Sequence, residues 1–300
     1  MASWQSEITS VSNSLKHILE FRDFSDVTFS FGEFSNEKKV KAHKLILAMR
    51  SDVFQAMFYG TMREERSDVL VTDIDEHIFQ IMLKYIYTDQ FEAKLPEDII
   101  STFYAAHKYH IPSLMNLCRT QIVPKLTGNN VSKIFQVARL LEDEILITKC
   151  ENIIPQNSKT VLESESFANL SGDVVEYLIR QKKLNTASES DIFRAVLVWA
   201  KRRIEGNKKY IEEKSETNEK EKDISENIKE KNMRKEIRSV MNFLLPYINF
   251  LSMNLEEFIK LPDLTVVFSK KEIVQMALNI AKIRNVPLPD WFGTGPPSQK

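Results

Sequence analysis

Glycine is scarce in this chain: seven residues in 300, against about 7% in an ordinary protein. That leaves little material for phosphate-cradling loops or for the tight turns of strand-rich folds, and it argues against a dinucleotide-binding fold and a β-propeller. Cysteine is limited to Cys118 and Cys150, which have no CxxC partner. A zinc site or a disulfide framework needs more, so both read as reduced, buried thiols. Charge of one sign is missing too: 41 basic residues face 42 acidic ones, a formal net charge of −1. No excess is available to neutralise a phosphate backbone, and no nucleic-acid partner is expected. No apolar run approaches the ~18 residues that span a bilayer, so no membrane partner is expected. Met1–Glu7 carries no basic region ahead of an apolar core, and no signal peptide is read. These absences predict a soluble protein of the cytoplasm. Entry to the nucleus stays open, because acids break up the basic stretches Lys201-Arg202-Arg203 and Lys229–Lys235.

Hydrophobic residues at 43% and charged ones at 28% are enough for a sizeable core. At about 150 residues per domain, the length suggests two domains. Leu15, Ile18 and Leu19 fall at i, i+3, i+4 and predict an amphipathic helix over Asn13–Phe21. It precedes any strand signal, so its stripe has nothing local to pack on. Docking on another chain and docking back on its own domain both remain open. From Asp26 the period changes to two, with Val27, Phe29 and Phe31 alternating with Thr28 and Ser30. A turn at Gly32–Glu37 leads to a second strand at Lys38–Lys41. Two short helices, Leu45–Met49 and Val53–Phe58, are split by the N-cap pair Ser51-Asp52. A brief strand follows at Val69–Val71. The segment Ile78–Tyr87 is apolar nearly all round and predicts a buried helix. Pro96 opens a helix running to about Tyr109, and another spans Ile111–Val123 with Pro112 in its first turn.

Beyond Pro124 every signal is helical. Val131, Ile134, Phe135, Ala138 and Leu141 keep helical spacing, as do Val174, Val175, Leu178 and Ile179, and then Phe193, Val196, Leu197 and Ala200 beside Trp199. Ser188–Asp191, Asn254–Glu257 and Ser269–Glu272 each match the capping box. Between about Glu205 and Arg238 the composition turns to Lys, Glu, Asn and Ser, read as a solvated loop or a frayed helix. The fold class is therefore α+β and mostly α: a small β-sheet wrapped by helices, then an all-α domain, joined near residue 125.

No catalytic motif is legible in the chain. The pair His107 and His110, spaced i, i+3, lacks the Cys, Asp or Glu set that would complete a metal site. GxSxG, HExxH, GxxxxGK[ST] and GxGxxG are all absent. The acids lie at helix starts or in the charged stretch, where helix dipole and solvation account for them. The expectation is a binding protein rather than an enzyme, with no cofactor and no metal.

Five separate blocks of the first half resemble the BTB (POZ) domain: Asp26-Val27-Thr28-Phe29, Ala42-His43-Lys44-Leu45-Ile46-Leu47-Ala48, Ser51-Asp52-Val53-Phe54-Gln55-Ala56-Met57-Phe58, Tyr85-Ile86-Tyr87-Thr88-Asp89 and Ala105-Ala106-His107-Lys108-Tyr109. The second half resembles the BACK domain of cullin-linked adaptors. Its blocks are Val161-Leu162-Glu163-Ser164-Glu165-Ser166-Phe167, Asp191-Ile192-Phe193-Arg194-Ala195-Val196-Leu197-Val198-Trp199-Ala200 and Leu244-Leu245-Pro246-Tyr247-Ile248-Asn249-Phe250. The expected layout is an N-terminal segment with a dimerisation helix over 1–19, a BTB domain over 20–125, and a BACK domain over 126–282 holding the charged insertion 205–238. A tail follows over 283–300.

The resemblance implies a homodimer formed through the first helix, by Leu15, Ile18 and Leu19. It likens Asp26, His43 and Lys44 to a buried polar cluster near the dimer seam. It further implies binding to the N-terminal domain of cullin-3, since Met62-Arg63-Glu64 stands where family adaptors carry a hydrophobic-x-Glu motif. Ala56, Met57 and Tyr87 would lie beside that motif, and the first BACK helices around Val131–Leu141 would extend the surface. By residue type alone, Met57 suits a core position and Glu64 a solvated loop. The implied function is a substrate-receptor subunit of a cullin-RING ubiquitin ligase that brings in a protein substrate. The alternative is a BTB scaffold without ligase function, a transcriptional or cytoskeletal dimeriser, or a receptor variant without its substrate module. Family adaptors usually carry a kelch or β-sandwich module after BACK, and the roughly twenty residues following Ala281 are too few for one. Trp291 and Phe292 in that tail are read as a peptide motif for a partner or as part of a disordered terminus.

Overall fold

The computed structural model describes residues 4–32, 38–61, 67–180, 184, 187–214, 235–283 and 286–292. The chain divides into two compact units, Met1–Lys125 and Leu126–Lys300.

The first unit begins with α1 (Trp4–Glu7) and α2 (Val11–Phe21). The helix α2 starts where Ser10 Oγ accepts the Asn13 N–H. It stops at Arg22, whose left-handed φ of 62° cannot continue a helix. Three strands follow, β1 (Val27–Phe31), β2 (Lys38–Ala42) and β3 (Asp68–Val71), in the order β2-β1-β3. β1 is central. It pairs antiparallel with β2, Val27 opposite Ala42, and parallel with β3, Phe29 opposite Val69. Gly32 leaves β1 at φ 88°, a conformation open to glycine; the rest of the expected turn, 33–37, lies outside the described residues. A parallel partner requires a crossover, and α3 (Lys44–Arg50) and α4 (Asp52–Tyr59) supply it. Three longer helices complete the unit: α5 (Glu76–Thr88), α6 (Pro96–Lys108) and α7 (Pro112–Ile122), the last two with proline in the first turn.

The core of this unit is aromatic. Phe29 lies 4.6 Å from Phe79, and Phe54 stacks on Tyr109 at 4.3 Å. Phe29, Phe54 and Phe79 are fully buried, each contributing about 1.5–3 kcal/mol. The period-two reading of β1 holds for Val27, Phe29 and Phe31, but Ser30 is buried as well, its hydroxyl donating to Asp68 Oδ1 at 2.6 Å.

The second unit is helical throughout its described residues. α8 (Val131–Leu140) and α9 (Glu144–Ile153) form a hairpin, followed by α10 (Ser158–Glu163), α11 (Glu165–Ala168) and α12 (Gly172–Arg180). α13 (Glu189–Lys214) carries Trp199 at its centre, where the buried indole donates to the Leu170 carbonyl at 2.8 Å. After it come α14 (235–241), α15 (Leu255–Ile259), α16 (Leu264–Val267) and α17 (Lys270–Ile280). Of the stretch 205–238, read as a solvated loop or a frayed helix, the described part is helix: α13 runs on through Lys214, and α14 buries Ile237 completely. Residues 215–234 lie outside the described residues.

The capping signals take physical form. Ser188 and Asp191 exchange reciprocal bonds, as do Ser269 and Glu272, and Asn254 accepts the Glu257 N–H. Among the described residues no helix is long and apolar enough to cross a membrane.

Candidate protein-interaction faces

The helix α4 is anchored from below and open above. Ser51 Oγ accepts the Phe54 N–H at 3.0 Å and donates to the Tyr109 carbonyl at 2.5 Å, fixing the first turn against the core. Helical spacing then sends Phe54 and Phe58 inward. The same rotation leaves Ala56 exposed, Met57 half-buried and Tyr59 56% exposed. The preceding α3 adds Leu45 and Met49, four apart on one helix face and 60% and 71% exposed. The helix ends at Gly60, whose N–H donates to the Ala56 carbonyl; a Cβ there would collide with that same oxygen. Met62 and Glu64 lie outside the described residues.

Tyr87 does not join this face. It sits in the last turn of α5, 3% exposed, with its hydroxyl turned inward. The oxygen accepts the His43 backbone N–H at 3.0 Å and lies 2.7 Å from His43 Nδ1. His43 Nε2 lies 2.6 Å from the Asp23 carbonyl oxygen, which can only accept. The network therefore assigns the proton to Nε2 and makes Nδ1 the acceptor of the Tyr87 O–H. Burial pushes the Tyr87 hydroxyl up to about 12, against the opposing pull of the His43 N–H and the Arg22 charge. Asp26 departs from its expected role: it is exposed, and its carboxylate caps α3 by accepting the Lys44 backbone N–H at 2.7 Å. The buried polar pair is His43 with Tyr87, because short-range sequence pattern pairs neighbours and the fold paired α5 with the loop before α3.

The helix α2 finds a local partner after all, packing on α5. The contact is partial. None of its residues is fully buried, and Leu15, Ile18 and Leu19 are half-buried. Val11, Phe21 and Phe24 are 77%, 61% and 74% exposed, an unusual concentration of apolar surface along one short segment. His17 stacks between Trp4 at 4.1 Å and Phe21 at 4.5 Å, with Nε2 3.2 Å from Asp23 Oδ2.

His107 and His110, spaced i, i+3 in the sequence, do not share one helix, since α6 ends at Lys108. His110 lies past the end of α6 at φ 47° and binds the Asp52 carboxylate at 2.8 Å, while His107 is exposed on the helix. Among the described residues no group of three or more His, Cys, Asp or Glu could hold a metal ion. Cys118 and Cys150 are fully buried free thiols, both pushed up to about 12 by burial.

The second unit holds an arrangement that sequence reasoning missed. Trp291 docks on its own unit. Its ring stacks on Phe268 at 5.5 Å and 16°, meets Phe250 edge-on at 6.0 Å, and lies 5.0 Å from the Arg238 guanidinium. Its Nε1–H donates to Glu272 Oε1 at 2.6 Å. Burial pushes the Glu272 carboxyl up, and the Ser269 bonds, the indole and Arg238 outweigh it, holding it below the ordinary carboxylate range. The sequence marks Ser269–Glu272 as a capping box, Phe250 within a BACK-like block and Trp291 as part of a tail read as a partner motif or a disordered terminus; that these residues meet carries no local signal.

Comparison with known proteins matches a BTB/POZ domain over residues 15–126 and a "BTB And C-terminal Kelch" (BACK) domain over residues 131–214. The chain is 34% identical over 199 residues to BTB/POZ domain-containing protein 6-B of Danio rerio, covering 66% of this chain and 41% of the relative. It is 34% identical over 176 residues to BTB/POZ domain-containing protein 6 of Homo sapiens, covering 59% and 32%. To BTB/POZ domain-containing protein 3 of Homo sapiens it is 32% identical, covering 59% and 33%. The chain thus spans between about a third and two fifths of the length of these curated relatives.

Proposed function

The chain is a BTB/POZ–BACK protein, of a family of protein-interaction adaptors, and on that premise we propose that it binds the N-terminal domain of cullin-3 as a homodimeric substrate receptor of a ubiquitin ligase. In this reading the chain contributes proximity. Ubiquitin transfer occurs on its partners, and the chain needs no cofactor. The observation that supports it is the outer face of α4: Ala56 exposed, Met57 half-buried and Tyr59 exposed, ending at Gly60 two residues before Met62-Arg63-Glu64. An apolar side chain set beside a carboxylate two residues on can anchor in a groove while the acid pairs with polar groups at its rim. A few such anchors carry most of an interface's energy. Tyr87 has no part in the contact, being interior. Leu15, Ile18 and Leu19 of α2, with the exposed Val11 and Phe21, form the self-association face.

The test is calorimetry of the full chain against the cullin-3 N-terminal domain. Binding below about 1 μM, corresponding to about −8 kcal/mol, is expected. It should weaken at least about tenfold in the Met62→Ala/Glu64→Ala chain with its circular dichroism unchanged. Absence of binding by the folded wild type sinks the ligase reading and leaves a BTB scaffold.

A further inference from the structure

The slot that holds Trp291 is built without it. Arg238 and Glu272 form an ion pair at 3.2 Å, and Arg238 Nη1 donates to the Val267 carbonyl at 3.3 Å. Glu272 also closes the capping box of α17 by accepting the Ser269 N–H at 2.7 Å. Phe250 and Phe268 meet edge-on at 5.5 Å, and the Arg238 guanidinium stands 5.3 Å from the Phe268 ring. The slot therefore offers an aromatic face, an aromatic edge, a cation and one carboxylate acceptor. An indole is the complementary object: a large apolar body, a π-face for a cation, and a single N–H donor.

The occupant is held differently. Residues 286–292 form neither helix nor strand. The Val286 carbonyl accepts from Asn279 Nδ2 at 3.0 Å, and the Phe292 N–H turns back to the Pro289 carbonyl at 2.8 Å. Pro289 is buried, and Phe292 leans on Trp291 at 5.6 Å. Side chains, not backbone pairing, dock this short irregular stretch on a slot whose residues also pair with one another.

We propose that the slot of Arg238, Phe250, Phe268 and Glu272 is a tryptophan-reading peptide site which residues 286–292 fill in cis. In trans it takes a short segment of a partner protein presenting Pro-x-Trp followed by an aromatic residue. A tethered segment competes at an effective concentration on the order of millimolar, so the cis occupant sets the threshold for the partner.

The test uses a fluorescein-labelled peptide of the sequence Val286–Phe292 and fluorescence anisotropy with the full chain. The Trp291→Ala chain should bind it at least about tenfold more tightly than the wild type, whose own segment competes. A peptide with alanine for its tryptophan should not bind, and adding Glu272→Gln to Trp291→Ala should weaken binding about tenfold. Equal binding by wild type and Trp291→Ala overturns the proposal, as does a folded Trp291→Ala chain that binds nothing. Should that variant not fold, hydrogen exchange on the wild type decides. The Trp291 indole N–H, bonded to Glu272, is expected to exchange at least about a hundredfold faster than the buried Trp199 indole N–H, and equal protection makes the segment a fixed part of the fold. A wild-type dimer that Trp291→Ala abolishes assigns the slot to a second copy's segment and also overturns the proposal.

Discussion

The hydroxyl of Tyr87 and the imidazole of His43 meet at 2.7 Å, with the His43 backbone N–H donating to the same oxygen at 3.0 Å. The end of α5 is thereby tied to the residue that opens α3, and through His43 Nε2 to the Asp23 carbonyl in the link between α2 and β1. Three segments distant in the chain share one buried polar junction. Tyr87→Phe keeps the ring and deletes the junction's shared oxygen, leaving the His43 N–H and Nδ1 without it. A loss of about 1–3 kcal/mol is expected. Chemical denaturation of the full chain checks this, and a change under about 0.5 kcal/mol would show that water replaces the phenol.

Gly60 has an ordinary φ of −73°, so its requirement comes from space rather than conformation. Gly60→Ala drives a Cβ into the Ala56 carbonyl, and relief means giving up the closing hydrogen bond of α4. Destabilisation of about 1 kcal/mol or more is expected, read as a lowered thermal midpoint. An unchanged midpoint would mean that the turn opens without cost.

Cys118 and Cys150 combine complete burial with a thiol pushed up to about 12. At pH 8 that leaves on the order of one thiolate in ten thousand, before access is considered. Neither should react with a thiol reagent in the native protein over minutes, and both should react in urea. Rapid labelling of either without denaturant contradicts the placement.

Glu272 gives the second unit an acid-sensitive contact. Its carboxyl is held below the ordinary range, with burial opposed by the Ser269 bonds, the Trp291 indole and Arg238. The unfolded chain therefore protonates this group first as pH falls. Its stabilising contribution is complete above about pH 4.5 and is lost as pH drops through the lower folded value. The stability difference between wild type and Glu272→Gln should be largest near neutrality and shrink below about pH 4. A pH-independent difference refutes the assignment.

The half-buried stripe of α2 bears on self-association. Leu15→Asp with Ile18→Asp places charges where apolar surface would meet a second copy, and should weaken dimerisation at least about a hundredfold. Light scattering at tens of micromolar checks this, with circular dichroism to verify folding. A wild type that is monomeric under those conditions removes the face from consideration.

Much of this protein was legible along the chain. The alternation of Val27, Phe29 and Phe31, the all-round apolar character of Ile78–Tyr87, the Ser51 N-cap and the Ser269–Glu272 box each depend on residues within a few positions of one another. Backbone geometry alone turns such spacings into strands, helices and caps. The blocks around Asp26, His43 and Ser51 carried the family resemblance for the same reason. What the chain could not disclose was which of these pieces would meet. A sequence stripe says that Leu15, Ile18 and Leu19 want cover, and only packing supplied α5 as part of it. Asp26 and Tyr87 exchanged their expected exposure because burial depends on what lies opposite in space. Trp291 found Arg238, Phe268 and Glu272 through contacts that no local period encodes, since a stacking face, a cation and an acceptor converge only once the helices that carry them have packed.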